Sequence, residues 1–164
     1  MKINSNIKRF VIIISAVLLF VFLLVYGGFL NVGSYNYAQE YKFEIPVADL
    51  YDRIEKFKEE NIDYQIPTSI NLVDSFDRRG LSHIYLIYKE KNTLIHIFVQ
   101  GNKISSVYFD ALNNLSQEFK WNNINQDFDR RANLDAKKEF RERILDKLKM
   151  PYKDNGNNAF VFWK

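Results

Sequence analysis

The chain has no cysteine among its 164 residues. That excludes disulfides, a thiolate nucleophile, a cysteine-bound metal and a lipid-modified cysteine. In an oxidising compartment such a domain stands on its core alone. Proline (3) and glycine (6) are scarce, so no stretch reads as a Pro- or Gly-rich linker. Only two histidines are present, His83 and His96. No P-loop, Gly-rich dinucleotide fingerprint, HExxH or G-x-S-x-G occurs, so no cofactor is expected and the reading leans away from an enzyme.

Charge is missing altogether from Phe10 to Leu30, FVIIISAVLLFVFLLVYGGFL, a run of 21 residues. As a helix it reaches about 30 Å, the hydrocarbon thickness of a bilayer. Lys2, Lys8 and Arg9 precede it, and no Lys or Arg follows until after the tether. The positive-inside bias then places residues 1–9 in the cytoplasm and the rest across the membrane. Tyr26, Tyr35 and Tyr37 suit an interfacial aromatic belt. The rival is a cleaved signal peptide and a secreted domain. Signal peptides have apolar regions of about 7–15 residues, however, and the small residues here offer poor cut sites near Gly33, Ser34 or Ala38.

Those three cations account for the net charge of +3, and the remaining chain balances 20 basic against 20 acidic residues. The basic pI is therefore a topology signal, and no nucleic-acid partner is expected. The domain boundaries read as a tail at 1–9, a transmembrane helix at 10–30, a tether at 31–40 and one domain at 41–164.

Within the domain, Tyr41, Phe43 and Ile45 alternate with Lys42 and Glu44, the period of a half-buried strand. Pro46 suits the first turn of a helix, and Val47, Leu50, Ile54 and Phe57 follow at helical spacing to Glu60. Residues 62–66 read as a short strand and 67–80 as a long loop. Leu81–Tyr88 and Thr93–Gln100 are rich in β-formers, and Gly101-Asn102 predicts a two-residue turn into Lys103–Phe109. With Tyr88 paired to Thr93 and Gln100 to Lys103, one face carries Ile84, Leu86, Tyr88, Ile95, Ile97, Val99, Ile104 and Tyr108. The other carries His83, Tyr85, Ile87, Leu94, His96, Phe98, Val107 and Phe109. The first is the expected core.

Asp110–Asn125 fits either a strand edge or a packed loop. A second helix follows, with Asn133 able to cap it and with Ala136, Phe140, Ile144 and Leu148 at fourfold spacing. Asp154–Asn158 (DNGNN) reads as a turn and Ala159–Trp163 as a closing strand. The order predicts an α+β domain, a mostly antiparallel sheet with a three-stranded meander at its centre and two amphipathic helices on one face.

Three groups of residues stand out chemically. His83 and His96 lie diagonally on neighbouring strands, within reach of a shared metal ion, with Asp110 as a third ligand. A one-residue slip would separate them. Hydrogen-bonded strand histidines are the commoner outcome. Phe-Asp-Arg-Arg occurs at 76–79 and again at 128–131, so Arg78, Arg79, Arg130 and Arg131 are candidates for binding an anion. The structural alternative is a packed Phe beside local Asp–Arg pairs. Tyr85, Phe98, Phe109 and Trp121 form a candidate partner or ligand surface, or else a second small core under the 67–80 loop. Together these features suggest a membrane-anchored binding or accessory module for another envelope protein. The alternative is a small-ligand or hydrolase site between the mixed sheet face and that loop.

Overall fold

The computed structural model describes Ile14, Ser15, Leu18, Leu19, residues 37–77 and residues 80–157. The chain divides into two units, Met1–Asn36 and Tyr37–Lys164. In the first, the four described residues are helical. The rest of the expected membrane span, Phe10 to Leu30, lies outside the described residues. Among the described residues no helix is long and apolar enough to cross a membrane.

The second unit is an α+β domain. Strand β1 (Gln39–Phe43) alternates as its sequence predicts, burying Gln39, Tyr41 and Phe43. Helix α1 (Val47–Glu60) follows Pro46 and buries Leu50, Ile54 and Phe57. Its open carbonyls are closed by side-chain amides. Asn61 Nδ2 donates to the Phe57 carbonyl at 2.7 Å, and Gln65 Nε2 to that of Lys58 at 2.8 Å. These bonds keep the chain at the helix end, so Ile62–Tyr64 forms a 3-10 turn and not the expected strand.

The remaining strands are β2 (Ser75–Phe76), β3 (Ser82–Tyr88), β4 (Thr93–Gly101), β5 (Ser105–Asn114), β6 (Asn122–Asn123) and β7 (Lys153–Asn157). The sheet runs β2-β3-β4-β5-β1-β7, with β6 on β5, and every described pairing is antiparallel. Tyr88 faces Thr93, as the sequence predicts.

The second turn differs. Gly101 pairs with Ser105, and Gln100 with Ser106 rather than Lys103. Gly101 has φ +143°, and a Cβ there would lie 2.3 Å from the Ile104 carbonyl oxygen. The chain therefore turns over residues 102–104 and re-enters the sheet with its faces exchanged. Val107 and Phe109 go into the core, Tyr108 goes to the other face, and Ile104 is half exposed in the turn. A β-bulge between His96 and Ile97 then sets Ile97 opposite Phe109 but His96 opposite Ala111, leaving Asp110 as the extra residue.

Helix α2 (Arg130–Phe140) is capped by Asp129, whose Oδ1 accepts from Ala132 N at 2.8 Å. Asn133 sits inside the helix, where its side chain bonds both the backbone N–H and the side chain of Asn125. The helix continues through a π turn (Arg141–Leu145) and a 3-10 turn (Asp146–Leu148), burying Phe140, Ile144, Leu145 and Leu148. Residues expected to be a turn, Asp154–Asn157, belong to β7, which pairs with β1 and shifts register between Glu40 and Tyr41. The expected strand at 159–163 lies outside the described residues. Both helices share one core with Tyr41, Phe43, Ile84, Leu86, Ile95, Ile97, Val99, Val107 and Phe109.

Candidate functional site

The sheet face turned away from that core carries the chemically loaded side chains. In β3 and β4, His83 stands opposite Phe98 and Tyr85 opposite His96. This brings the two histidines diagonally together, both only 8 % exposed. His83 Nδ1 lies 3.0 Å from His96 Nε2, and His96 Nδ1 lies 2.8 Å from Asp110 Oδ2. His83 Nε2 faces Asp77 Oδ2 at 3.5 Å. The result is a line, Asp77–His83–His96–Asp110, in which His83, His96 and Asp110 are buried and Asp77 is half-buried.

The two imidazole planes differ by 8° and their centroids are 5.3 Å apart. That separation is the N···N distance plus one ring radius at each end. The rings therefore meet edge to edge in one plane, the geometry of an N–H···N hydrogen bond, and do not overlap. An ionised Asp110 accepts the N–H of His96 Nδ1, and in the neutral ring that tautomer leaves Nε2 as the acceptor. A carboxylate at Nδ1 with a free Nε2 is the arrangement of a general base, but here His83 occupies Nε2.

Aromatic rings frame the line. Tyr85 stacks on His96 at 4.9 Å and 19°. Trp121 meets His96 at 5.8 Å and Tyr85 at 6.0 Å, and Phe119 meets Trp121 edge-on. Phe119 is 56 % exposed, whereas Phe98 is buried and stacks on Tyr108 at 4.6 Å. The Tyr108 hydroxyl donates to Glu40 Oε1 at 3.1 Å, beside Ser106 Oγ, which donates to the same oxygen at 2.7 Å. Burial and the Glu40 carboxylate push Tyr108 up to about 12.

The segment from 67 to 77 is tied to the sheet edge. Asp74 Oδ1 accepts from Tyr85 N at 2.9 Å, and Oδ2 pairs with Lys58, which also meets Glu55. Asp77 is itself bonded to Leu81, its N–H donating to the Leu81 carbonyl at 2.9 Å and its Oδ1 accepting from Leu81 N at 3.1 Å.

Sequence-predicted residues divide as follows. His83, His96 and Asp110 do come together, but not as three ligands around one point. Asp110 contacts the ring nitrogen opposite the one that faces His83, because the bulge re-aims it from behind the ring. Among the described residues, no group of three or more His, Cys, Asp or Glu side chains is arranged to hold a metal ion. Tyr85, Phe98 and Trp121 share the second face. Phe109 does not, since the longer turn puts it in the core, stacked on Phe140 at 4.3 Å. Arg130 and Arg131 are exposed in the first turn of α2, and Arg78 and Arg79 lie outside the described residues. Phe128 packs partly against the core, whereas Phe76 is 74 % exposed.

Two participants were not singled out from sequence. In the sequence Asp77 stands out only as part of the repeated tetrapeptide. Glu40 closes the Tyr108 cluster from β1, a partnership set by the unpredicted pairing of β1 with β5. Compared with protein-family models, curated proteins and solved structures, the chain matches none.

Proposed function

We propose that the chain is a membrane-anchored, extracytoplasmic binding module that docks an envelope protein on the sheet face opposite its helices. The observation that carries the reading is the division of labour between the two sheet faces. One is sealed by α1 and α2, while the other, itself largely buried, keeps Tyr85 and Trp121 half-buried and Phe119 exposed beside a polar line. Aromatic rings beside a few fixed polar groups are the composition of protein interfaces. The apolar run at Phe10–Leu30 and the short tether would hold this face within reach of neighbours in the membrane. Ten extended residues span only about 35 Å.

The test is site-specific photocrosslinking of the full-length chain in its native membranes. A probe at Phe119 should give a discrete adduct with one protein. A probe at Lys56, whose side chain is 70 % exposed on α1, should not. Equal products from both positions, or none from Phe119, would refute the docking face. A second reading, a small-ligand or hydrolase site between this face and the 67–80 segment, is favoured by the reach of Asp77 to His83. It predicts that Asp77→Asn alters binding of a captured small molecule without altering the crosslink from Phe119.

A further inference from the structure

We propose that the helix side of the sheet holds a binding site for a small uncharged sugar, in a cavity of about 320 Å³ where β3, β4 and β5 meet α2. The strand register builds its floor. Tyr88 stands opposite Thr93, and Thr93 opposite Asn114, so the three share one face. Leu112 lies two residues back on β5, on that same face, and stands opposite Asn122 of β6. Thr93 and Asn114 have short side chains, which keeps the floor low between the larger residues. Phe128 and Glu139 line the cavity from the segment before α2 and from α2 itself. Lys91 and Gln117 line it from the turns that follow β3 and β5.

The lining carries no charge to spare. Lys91 Nζ bonds Glu139 Oε1 at 2.6 Å, and Arg143 Nη1 reaches the same oxygen at 2.9 Å. A charged ligand would compete with those pairs. The polar groups left open among the described residues are amides. Asn114 accepts from Ser116 N through Oδ1 at 2.9 Å and keeps its Nδ2 donors. Asn122 Nδ2 donates to the Lys120 carbonyl at 3.4 Å, which leaves Oδ1 as an acceptor. Gln117 is exposed, and both ends of its amide are open. Donors and acceptors thus stand beside ring and alkyl surface from Phe128 and Leu112. That wall suits a molecule with hydroxyls at its rim and C–H groups on its face, which is a sugar ring.

A second observation points the same way. Tyr88 is 3 % exposed, and its hydroxyl has no hydrogen-bond partner among the described residues. Arg143 Cζ lies 4.5 Å from the centre of the Tyr88 ring and covers its face. A buried hydroxyl without a partner is costly, and a ligand hydroxyl entering from the cavity removes that cost by pairing with it. The volume sits at the low end of the about 300–1,000 Å³ of small-molecule pockets, which suits one or two sugar rings and not a dinucleotide. Tyr88 belongs to the core side of the sheet, so the site stands whether or not the opposite face docks a protein.

The test titrates the full-length protein, labelled with nitrogen-15 and held in a detergent without a sugar headgroup. The probes are N,N′-diacetylchitobiose, cellobiose and, as a charged control, glutamate. At least one of the two sugars should give saturable shifts of the side-chain amides of Asn114 and Asn122 and of the backbone amides of Thr93 and Glu139. Leu50, buried in α1, should not move. Glutamate should shift none of these signals. Gln117→Ala and Tyr88→Phe should each raise the Kd of the sugar about threefold to tenfold, the worth of one hydrogen bond. Tyr88→Phe should do so without lowering the urea midpoint, because the hydroxyl it removes has no protein partner. The proposal is overturned if neither sugar shifts these signals, if glutamate binds more tightly than either sugar, or if the Kd is unchanged in either variant.

Discussion

Replacing Phe109 by Ala separates the observed strand register from the one a two-residue turn at Gly101-Asn102 would impose. In the structure Phe109 is 1 % exposed and its ring stacks on Phe140 at 4.3 Å and 13°. Truncating a buried Phe costs about 3–5 kcal/mol, and the aromatic pair puts this site toward the upper end. Domains of this kind are stable by about 5–15 kcal/mol, so the loss takes a large share of the total. Ile104 is the control. It is 50 % exposed in the turn, and Ile104→Ala should cost below about 1 kcal/mol, since full burial of such a side chain is worth about 1.5–3 kcal/mol. The shorter turn reverses this order, placing Ile104 in the core and Phe109 on the opposite face. The assay is urea unfolding of the full chain in a mild detergent, followed by near-ultraviolet circular dichroism. An unchanged slope would show that only stability has moved. Ile104→Ala equal to or worse than Phe109→Ala would refute the register, and with it the placement of Asp110 beside His96.

Three further outcomes follow from the same structure. Asp129→Ala removes the cap on α2 and should cost about 1 kcal/mol in the same unfolding assay, while Asn133→Ala should disturb the Asn125 turn without uncapping the helix. Gly101→Ala forces a side chain into a φ of +143° and a contact 2.3 Å from the Ile104 carbonyl oxygen, and should destabilise by at least about 1–3 kcal/mol. Burial, followed by the carboxylates of Glu40 and Asp146, raises Tyr108 and Tyr152 from the ordinary 10.0 to about 12. Above 10.0 the unfolded chain loses these protons first, so stability should fall as pH rises from 10.0 toward about 12. Urea midpoints on either side of that window should show the fall, and Tyr108→Phe should make it shallower.

The sequence carried the parts of the fold whose signal is local. Tyr41 and Phe43 alternate with charged residues, and α1 shows its buried Leu50, Ile54 and Phe57 at helical spacing. The β3–β4 register was legible because a charged turn separates two apolar runs of matched length. What was not legible depends on pairing across distance. The bulge at Asp110 has no signature in Val107–Asn114, yet it aims the carboxylate at His96. Strand β7 is polar and contains Asn155-Gly156, which locally reads as a turn. It becomes a strand by pairing with β1. The proximity of the two histidines is legible because it depends on the β3–β4 register alone. Their in-plane hydrogen bond, and the arrival of Asp77, could not be read from spacing.

Placement of the domain across the membrane is the premise of the docking proposal, and the absence of cysteine makes it directly measurable. Single cysteines at Asn4 and at Lys56, the latter 70 % exposed on α1, would be challenged in intact cells with a membrane-impermeant maleimide. An extracytoplasmic domain predicts labelling at position 56 without permeabilisation and at position 4 only after it. Labelling at position 4 alone in intact cells, or protection of position 56 until the cells are opened, would contradict it.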